Sequence, residues 1–361
     1  MKRAHNFNAG PAALPLKVLQ QAQEEMLNFN NTGMSVMELS HRGPDYEQVH
    51  NEAITLIKEL LAIPDQYEVL LMQGGASLQF SMIPMNFLSK DKTANYILTG
   101  SWSEKAIKEA NYVGNTTSGA SSKESNYTYI PNKDSISFND SDAYVHLTSN
   151  NTIYGTQWQD FDIKPTSPLI VDMSSDILSR PVPVEHFSMI YAGAQKNLGP
   201  SGVTLVIIKK DLLKHVPEHV PTLLRYKTHA DKNSLYHTPP TFAIYILNKV
   251  LHWVKENGGA AGMEERNAKK ARLLYDTIDK SAGFYQGHAE KDSRSSMNVT
   301  FNLKTEELNA KFLKEAKEAG FVGLNGHRSV GGCRASIYNA VSLESCQALQ
   351  EFMTNFQKNN S

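Results

Sequence analysis

Short apolar runs alternate with helix-length amphipathic stretches along the chain from about Leu16 to Lys210. Tyr67-Glu68-Val69-Leu70-Leu71-Met72 predicts a strand that stops at Gly74-Gly75. Ala94 to Thr99 predicts a second, closed by Gly100, and Leu169-Ile170-Val171-Asp172 a third, nearly continuous in apolar character as buried parallel strands are. Met189 to Ala192 and Val203 to Ile208 complete the set. Strands alternating with helices predict an α/β domain with a mainly parallel sheet.

The pattern changes around Asn257-Gly258-Gly259-Ala260-Ala261-Gly262, where a hinge is expected. Beyond it, Met263 to Asp279 predicts a helix with Ala271, Leu274, Tyr275 and Ile278 on one face. A second helix is predicted from an N-cap at Thr305, with Glu306 and Glu307 in its first turn, to a stop at Gly320. A third runs from Leu343 to about Phe356, with Cys346, Leu349, Met353 and Phe356 at helical spacing. Strand-like pieces such as Met297 to Phe301 lie among them. The expected division is an N-terminal segment (1–15) packing near a small domain, a large α/β domain (16–258), and a small C-terminal α+β domain (259–361).

With 361 residues, 40% of them hydrophobic, the chain has enough apolar material for a sizeable core. Lys plus Arg number 36 and Asp plus Glu 37, so no basic field exists to draw in nucleic acid. Any anion site must be built locally. Two cysteines, Cys333 and Cys346, do not make a disulfide scaffold, and a reducing, cytoplasmic setting is expected. Met1-Lys2-Arg3 is followed by Ala4-His5-Asn6-Phe7-Asn8, not by the apolar run of a signal peptide. Val203 to Ile208 is strand-sized and too short to cross a bilayer, so no membrane partner is expected.

Candidate chemistry gathers at the ends of the predicted strands, where α/β sheets place ligands. Lys196 follows a strand in Tyr191-Ala192-Gly193-Ala194-Gln195-Lys196-Asn197-Leu198-Gly199-Pro200-Ser201-Gly202. A lysine that forms a Schiff base needs partial burial to lower its pKa and small neighbours to admit a flat cofactor. This setting supplies both. Asp172 closes the buried-type strand upstream and suits a role opposite a pyridinium nitrogen. Gln73-Gly74-Gly75-Ala76-Ser77 opens a helix after a strand, and its free backbone N–H groups with the Ser77 hydroxyl make a seat for a phosphate. Trp102, in Gly100-Ser101-Trp102, offers a flat face for an aromatic ring. Taken singly, each also fits a loop lysine, a turn aspartate, a tight turn or a core tryptophan; together they point to pyridoxal phosphate (PLP).

These segments, with Asn8-Ala9-Gly10-Pro11-Ala12, Ser40-His41-Arg42, His237-Thr238-Pro239-Pro240-Thr241 and Gly326-His327-Arg328 through Arg334-Ala335-Ser336, resemble the phosphoserine aminotransferase family of class-V PLP enzymes over nearly the whole chain. The resemblance implies the aspartate-aminotransferase-like fold (PLP-dependent transferase fold type I) and a homodimer with shared active sites. It implies that Lys196 holds PLP, that Asp172 faces the pyridinium nitrogen and that Trp102 stacks on the ring. Ala76, Ser77, Thr152 and Gln195 match further cofactor contacts, and His237 and Thr238 match a segment that reaches the cofactor phosphate of the other subunit. Arg334 matches the α-carboxylate anchor, while His41, Arg42, His327 and Arg328 match the cluster that binds the substrate's anionic tail. The implied reaction converts L-glutamate and 3-phosphohydroxypyruvate into 2-oxoglutarate and O-phospho-L-serine, in L-serine biosynthesis. Two positions depart from the common pattern. Some members carry arginine where this chain has Ser77, and many carry Asn-Thr where it has His237-Thr238.

Two other readings compete. One is a related class-V enzyme, a serine–glyoxylate type aminotransferase or a cysteine desulfurase. Desulfurase chemistry needs a mobile, accessible thiol, which neither Cys333 nor Cys346 offers by its position. The other is a non-catalytic phosphate-binding module on an α/β sheet, although neither a Walker motif nor a G-x-G-x-x-G fingerprint occurs.

Overall fold

The structure is a computed structural model and describes residues 3–360. Seven strands form the main sheet: β1 (Tyr67–Met72), β2 (Thr93–Leu98), β3 (Asn115–Ser121), β4 (Asp142–Thr148), β5 (Leu169–Asp172), β6 (Met189–Gly193) and β7 (Thr204–Lys209). Their order is β1-β7-β6-β5-β4-β2-β3. All neighbours pair in parallel except β7, which runs antiparallel to both β1 and β6. The mainly parallel sheet expected from the pattern is therefore present.

Alternation along each strand divides the core into two layers. Val69, Leu71, Val171, Leu205 and Ile207 join one layer with Ile57, Trp158 and Leu247; Leu70, Met72, Ile170, Val206 and Ile208 join the other with Phe80, Ala106 and Tyr226. Because both faces are covered, the strands read as continuous apolar runs. β4 is buried at every position although it carries Asp142, His146 and Thr148. Its polar groups are partly satisfied inside the sheet: the Asn95 amide donates to Asp142 Oδ2 at 2.8 Å, and His146 Nε2 lies 2.9 Å from the Tyr191 hydroxyl. Burial holds the His146 imidazole down to about 3, so it is neutral at pH 7.

Toward the C-terminus a three-stranded antiparallel sheet forms from Tyr285–Gly287, Asn298–Leu303 and Cys333–Ser336. The helices Gly259–Asp279, Glu306–Glu318 and Leu343–Asn360 accompany it, and the Thr305 hydroxyl caps the second by accepting from the Leu308 N–H at 3.2 Å. Ala271, Leu274, Tyr275 and Ile278 pack with Phe301, Phe312, Leu349, Met353 and Phe356 in a core of their own.

Most of the glycine-rich stretch expected as a hinge is helical. Gly258 (φ +89°) ends the preceding turn, and the helix already begins at Gly259. Ala260 of that helix packs on the main-sheet core, while Ala271 to Ile278 pack on the C-terminal one. Between them, the buried Lys270 ammonium donates to the carbonyls of Ile337, Tyr338 and Val341 at 2.8, 2.7 and 3.1 Å. Burial lowers its pKa to about 7.

The N-terminal arm touches both regions. His5–Asn6 pairs in parallel with Phe321–Val322, and Phe7 N–H donates to the Val322 carbonyl at 2.9 Å. The Tyr338 hydroxyl then donates to the Ala9 carbonyl at 2.8 Å, and Ala12 N–H donates to the Gln195 carbonyl at 2.9 Å. Residues 5–12 thus run from a two-stranded pair with Phe321–Val322 to the segment that carries Lys196.

Candidate active site

The parallel strands end on one edge of the main sheet, and the loops after them build a single cleft. β1 runs into Gly74, whose φ of +92° suits glycine, and helix α1 (Gly75–Phe87) starts there with no side-chain cap. The first N–H groups of α1 are consequently free to meet an anion. β2 ends at Leu98, and after Gly100 helix α2 (Ser101–Ala110) follows with Trp102 in its first turn. A Cβ at Gly100 would lie 2.6 Å from Asn151 Oδ1, so the two loops meet closely here.

The cleft, a space of about 520 Å³ that opens to solvent, is lined by Ala76, Ser77, Trp102, Thr152, Asp172, Gln195 and Lys196 among others. All seven were expected in a cofactor site. Lys196 Nζ donates to Thr152 Oγ1 at 2.8 Å. Desolvation lowers the Lys196 pKa to about 8; Asp172 pulls it upward and Arg334 pushes it further down. Asp172 is only 5% exposed, accepts from the Ser174 N–H at 2.8 Å, and is also reached by the Tyr191 hydroxyl. Burial raises its carboxyl pKa, while the Ser174 hydrogen bonds and the Lys196 charge oppose that rise.

Among the described residues, the buried donors Trp102 Nε1, Thr148 Oγ1 and Arg334 Nε near this space have no partner. Trp102 and Thr148 line the cleft itself, and Arg334 meets its wall by donating from Nη1 to the Thr152 carbonyl at 3.2 Å. The donor set suits a flat, anionic ligand such as PLP. The α1 N-terminus can take its phosphate, Trp102 can cover its ring, and Asp172 can accept from a protonated ring nitrogen, with an amine of lowered pKa at hand for its aldehyde.

The tail-binding candidates divide. His327 lies close to Arg334, Lys105 and Arg328, whose charges add to burial in holding its imidazole below the ordinary histidine range. None of His41, Arg42, His327 and Arg328 lines this cleft itself, nor do His237 and Thr238, which were expected at a cofactor phosphate. The Gln73 amide instead contacts His237 Nε2 at 3.1 Å and donates to the Thr238 carbonyl at 3.0 Å, while Arg42 is exposed.

Several lining residues were not anticipated: Phe80, Thr148, Asn150, Ser174 and Ser175. Asp176 is a second buried carboxylate behind them, held by the Ser149 hydroxyl and by the Gln157 amide at 3.1 Å. The polar run Thr148-Ser149-Asn150-Asn151-Thr152, directly after a buried strand, was the available signal. Gly10 also belongs to the site, since a Cβ there would touch Lys196 Cγ at 3.6 Å and Cε at 3.7 Å.

The model of the family described as "Aminotransferase class-V" matches residues 4–349. A phosphoserine aminotransferase from Halalkalibacterium halodurans is 66% identical over 356 residues, covering 99% of each chain. The solved phosphoserine aminotransferase from Bacillus circulans subsp. alkalophilus superposes with a TM-score of 0.99 at 57% identity, covering 100% of both chains. The PLP-bound phosphoserine aminotransferase from Trichomonas vaginalis gives a TM-score of 0.93 at 40% identity, over 98% of this chain and 100% of that one. The chain belongs to the phosphoserine aminotransferase family of class-V aminotransferases.

Proposed function

We propose that Lys196 holds PLP in this cleft and that the chain exchanges the amino group between L-glutamate and 3-phosphohydroxypyruvate, yielding 2-oxoglutarate and O-phospho-L-serine. The observation that carries this reading is the Lys196 amine, lowered to about 8 by burial, in one cleft with the buried Asp172. When bound, PLP supplies an electron sink conjugated to the substrate's amino nitrogen.

The chain's own groups supply the rest. Lys196 Nζ takes the proton from the substrate's Cα and returns it on the other side of the exchange, acting as base and then acid. Asp172 offers its carboxylate to a protonated ring nitrogen and keeps that proton in place. Arg334 has a buried Nε–H without a partner, and its planar fork suits an α-carboxylate. Ala76, Ser77 and the α1 N-terminus bind the cofactor phosphate, with Trp102, Thr152 and Gln195 enclosing the ring. His327 and Arg328 face the anionic tail.

We place His41, Arg42, His237 and Thr238 at the second subunit's site in a homodimer. The exposed apolar side chains Leu16, Leu27, Met34 and Met37, with an apolar groove lined by Leu14, Leu19, Leu27 and Phe242, support a surface covered by a second copy. We retain the division into 1–15, 16–258 and 259–361, and a cytoplasmic setting. Among the described residues no helix is long and apolar enough to cross a membrane.

The test is a half-reaction titration of the PLP-loaded protein, followed by visible absorbance. Phosphoserine and glutamate should each discharge the cofactor signal, and serine and alanine should not. Discharge by serine rather than phosphoserine would favour a serine–glyoxylate type enzyme. A protein that stays colourless with added PLP would leave only the phosphate-binding module.

A pH dependence follows from the lowered amine. Only neutral Lys196 attacks an aldehyde, so uptake of PLP by cofactor-free protein should quicken about tenfold per pH unit below pH 8 and level off above it. Stopped-flow absorbance across pH 6–10 reads this (about a tenth of the amine is neutral at pH 7). A rate still rising steeply at pH 10 would mean that burial does not tune this lysine.

A further inference from the structure

The Lys105 ammonium lies 4.2 Å from the centre of the Trp102 ring. The two residues are three apart in α2, so they share one face of the helix, the face on which Trp102 meets the cleft. Among the described residues no carboxylate pairs with Lys105, and its neighbour Glu104 is engaged by Lys123 at 2.6 Å. The charge of Lys105 also reaches His327, together with those of Arg328 and Arg334. Four basic groups from two separate segments, Lys105 on one and His327, Arg328 and Arg334 on the other, are therefore near one another beside the cleft.

We infer that Lys105 is a specificity-determining residue, the additional cation that lets one tail site accept a phosphate dianion as well as a carboxylate. The inference rests on the proposed substrates. A carboxylate carries one negative charge and two acceptor oxygens, which a single arginine fork can satisfy. A phosphate monoester carries close to two charges and three acceptor oxygens, so it gains more from a further ammonium. Lysine suits this task because its compact charge on a flexible stem can approach the phosphate and withdraw for the smaller tail. Resting against Trp102 keeps the ammonium near the cleft between substrates.

The test compares both half-reactions in the PLP-loaded native protein, Lys105→Met and Lys105→Arg. In Lys105→Met, kcat/KM for O-phospho-L-serine should fall about tenfold, mainly through KM, while that for L-glutamate falls no more than about threefold. Lys105→Arg should recover most of the loss. Calorimetric titration of the same proteins with inorganic phosphate gives a readout independent of turnover, and affinity should weaken about tenfold in Lys105→Met. The visible spectrum shows whether cofactor is retained. Equal losses for both amino acids, or unchanged phosphoserine kinetics and phosphate affinity, would overturn the inference. Native protein that fails to react with phosphoserine would overturn the substrate reading beneath it, and that control is read before any variant.

Discussion

Lys196→Ala is expected to lower kcat by about 10⁴-fold or more, the largest effect of any single substitution in the cleft. The side chain combines two roles that nothing nearby duplicates. Its Nζ is the amine positioned to hold the cofactor, and it is the base that moves the substrate's α-proton. Thr152 Oγ1, 2.8 Å away, is a hydroxyl with no comparable basicity. Lys196→Arg should be almost as inactive, because a guanidinium stays protonated and neither attacks an aldehyde nor accepts a proton at neutral pH. Single-turnover absorbance with phosphoserine separates the roles: the alanine variant can still bind PLP at the α1 N-terminus but should show no discharge on the native timescale. Turnover close to that of the native protein would mean that another group carries the chemistry.

Asp172→Asn should reduce kcat by about 10²- to 10³-fold while leaving the fold intact. Asparagine has the same shape and can still accept the Ser174 N–H bond that Asp172 receives at 2.8 Å. It lacks the negative charge that keeps a ring nitrogen protonated. The buried carboxylate is costly to the apoprotein, as its raised pKa shows, so removing the charge should not lower the Tm. The informative combination is an unchanged or higher Tm with a large loss of kcat. Loss of both together would assign Asp172 to structure instead.

The α/β architecture was legible because covered sheets demand apolar strands. Tyr67–Met72 and Leu169–Asp172 emerge with the boundaries the pattern predicts, and the three C-terminal helices appear near their expected limits. Two main-sheet strands were not read from the pattern. Asn115–Ser121 lies at the sheet edge and is largely polar and solvent-facing, so no apolar rhythm marks it. Asp142–Thr148 is central, but its aspartate and histidine disguise it because their partners, Asn95 and Tyr191, come from other strands. In the same way, Lys196, Asp172 and Trp102 were legible since each ends or follows a recognisable strand. Lys105 was hidden, because a lysine on an amphipathic helix looks like a solvated face until the helix is oriented against the cleft.

The N-terminal arm gives the site a mechanical property. It is fastened at one end to Phe321–Val322 beside the C-terminal sheet and at the other to the Gln195 carbonyl, with Gly10 against the Lys196 side chain between them. A strap fixed at both ends transmits displacement. Any displacement of Phe321–Val322 relative to the Gln195 segment would therefore fall on the residues between the two fastenings, which include Gly10 beside the Lys196 stem.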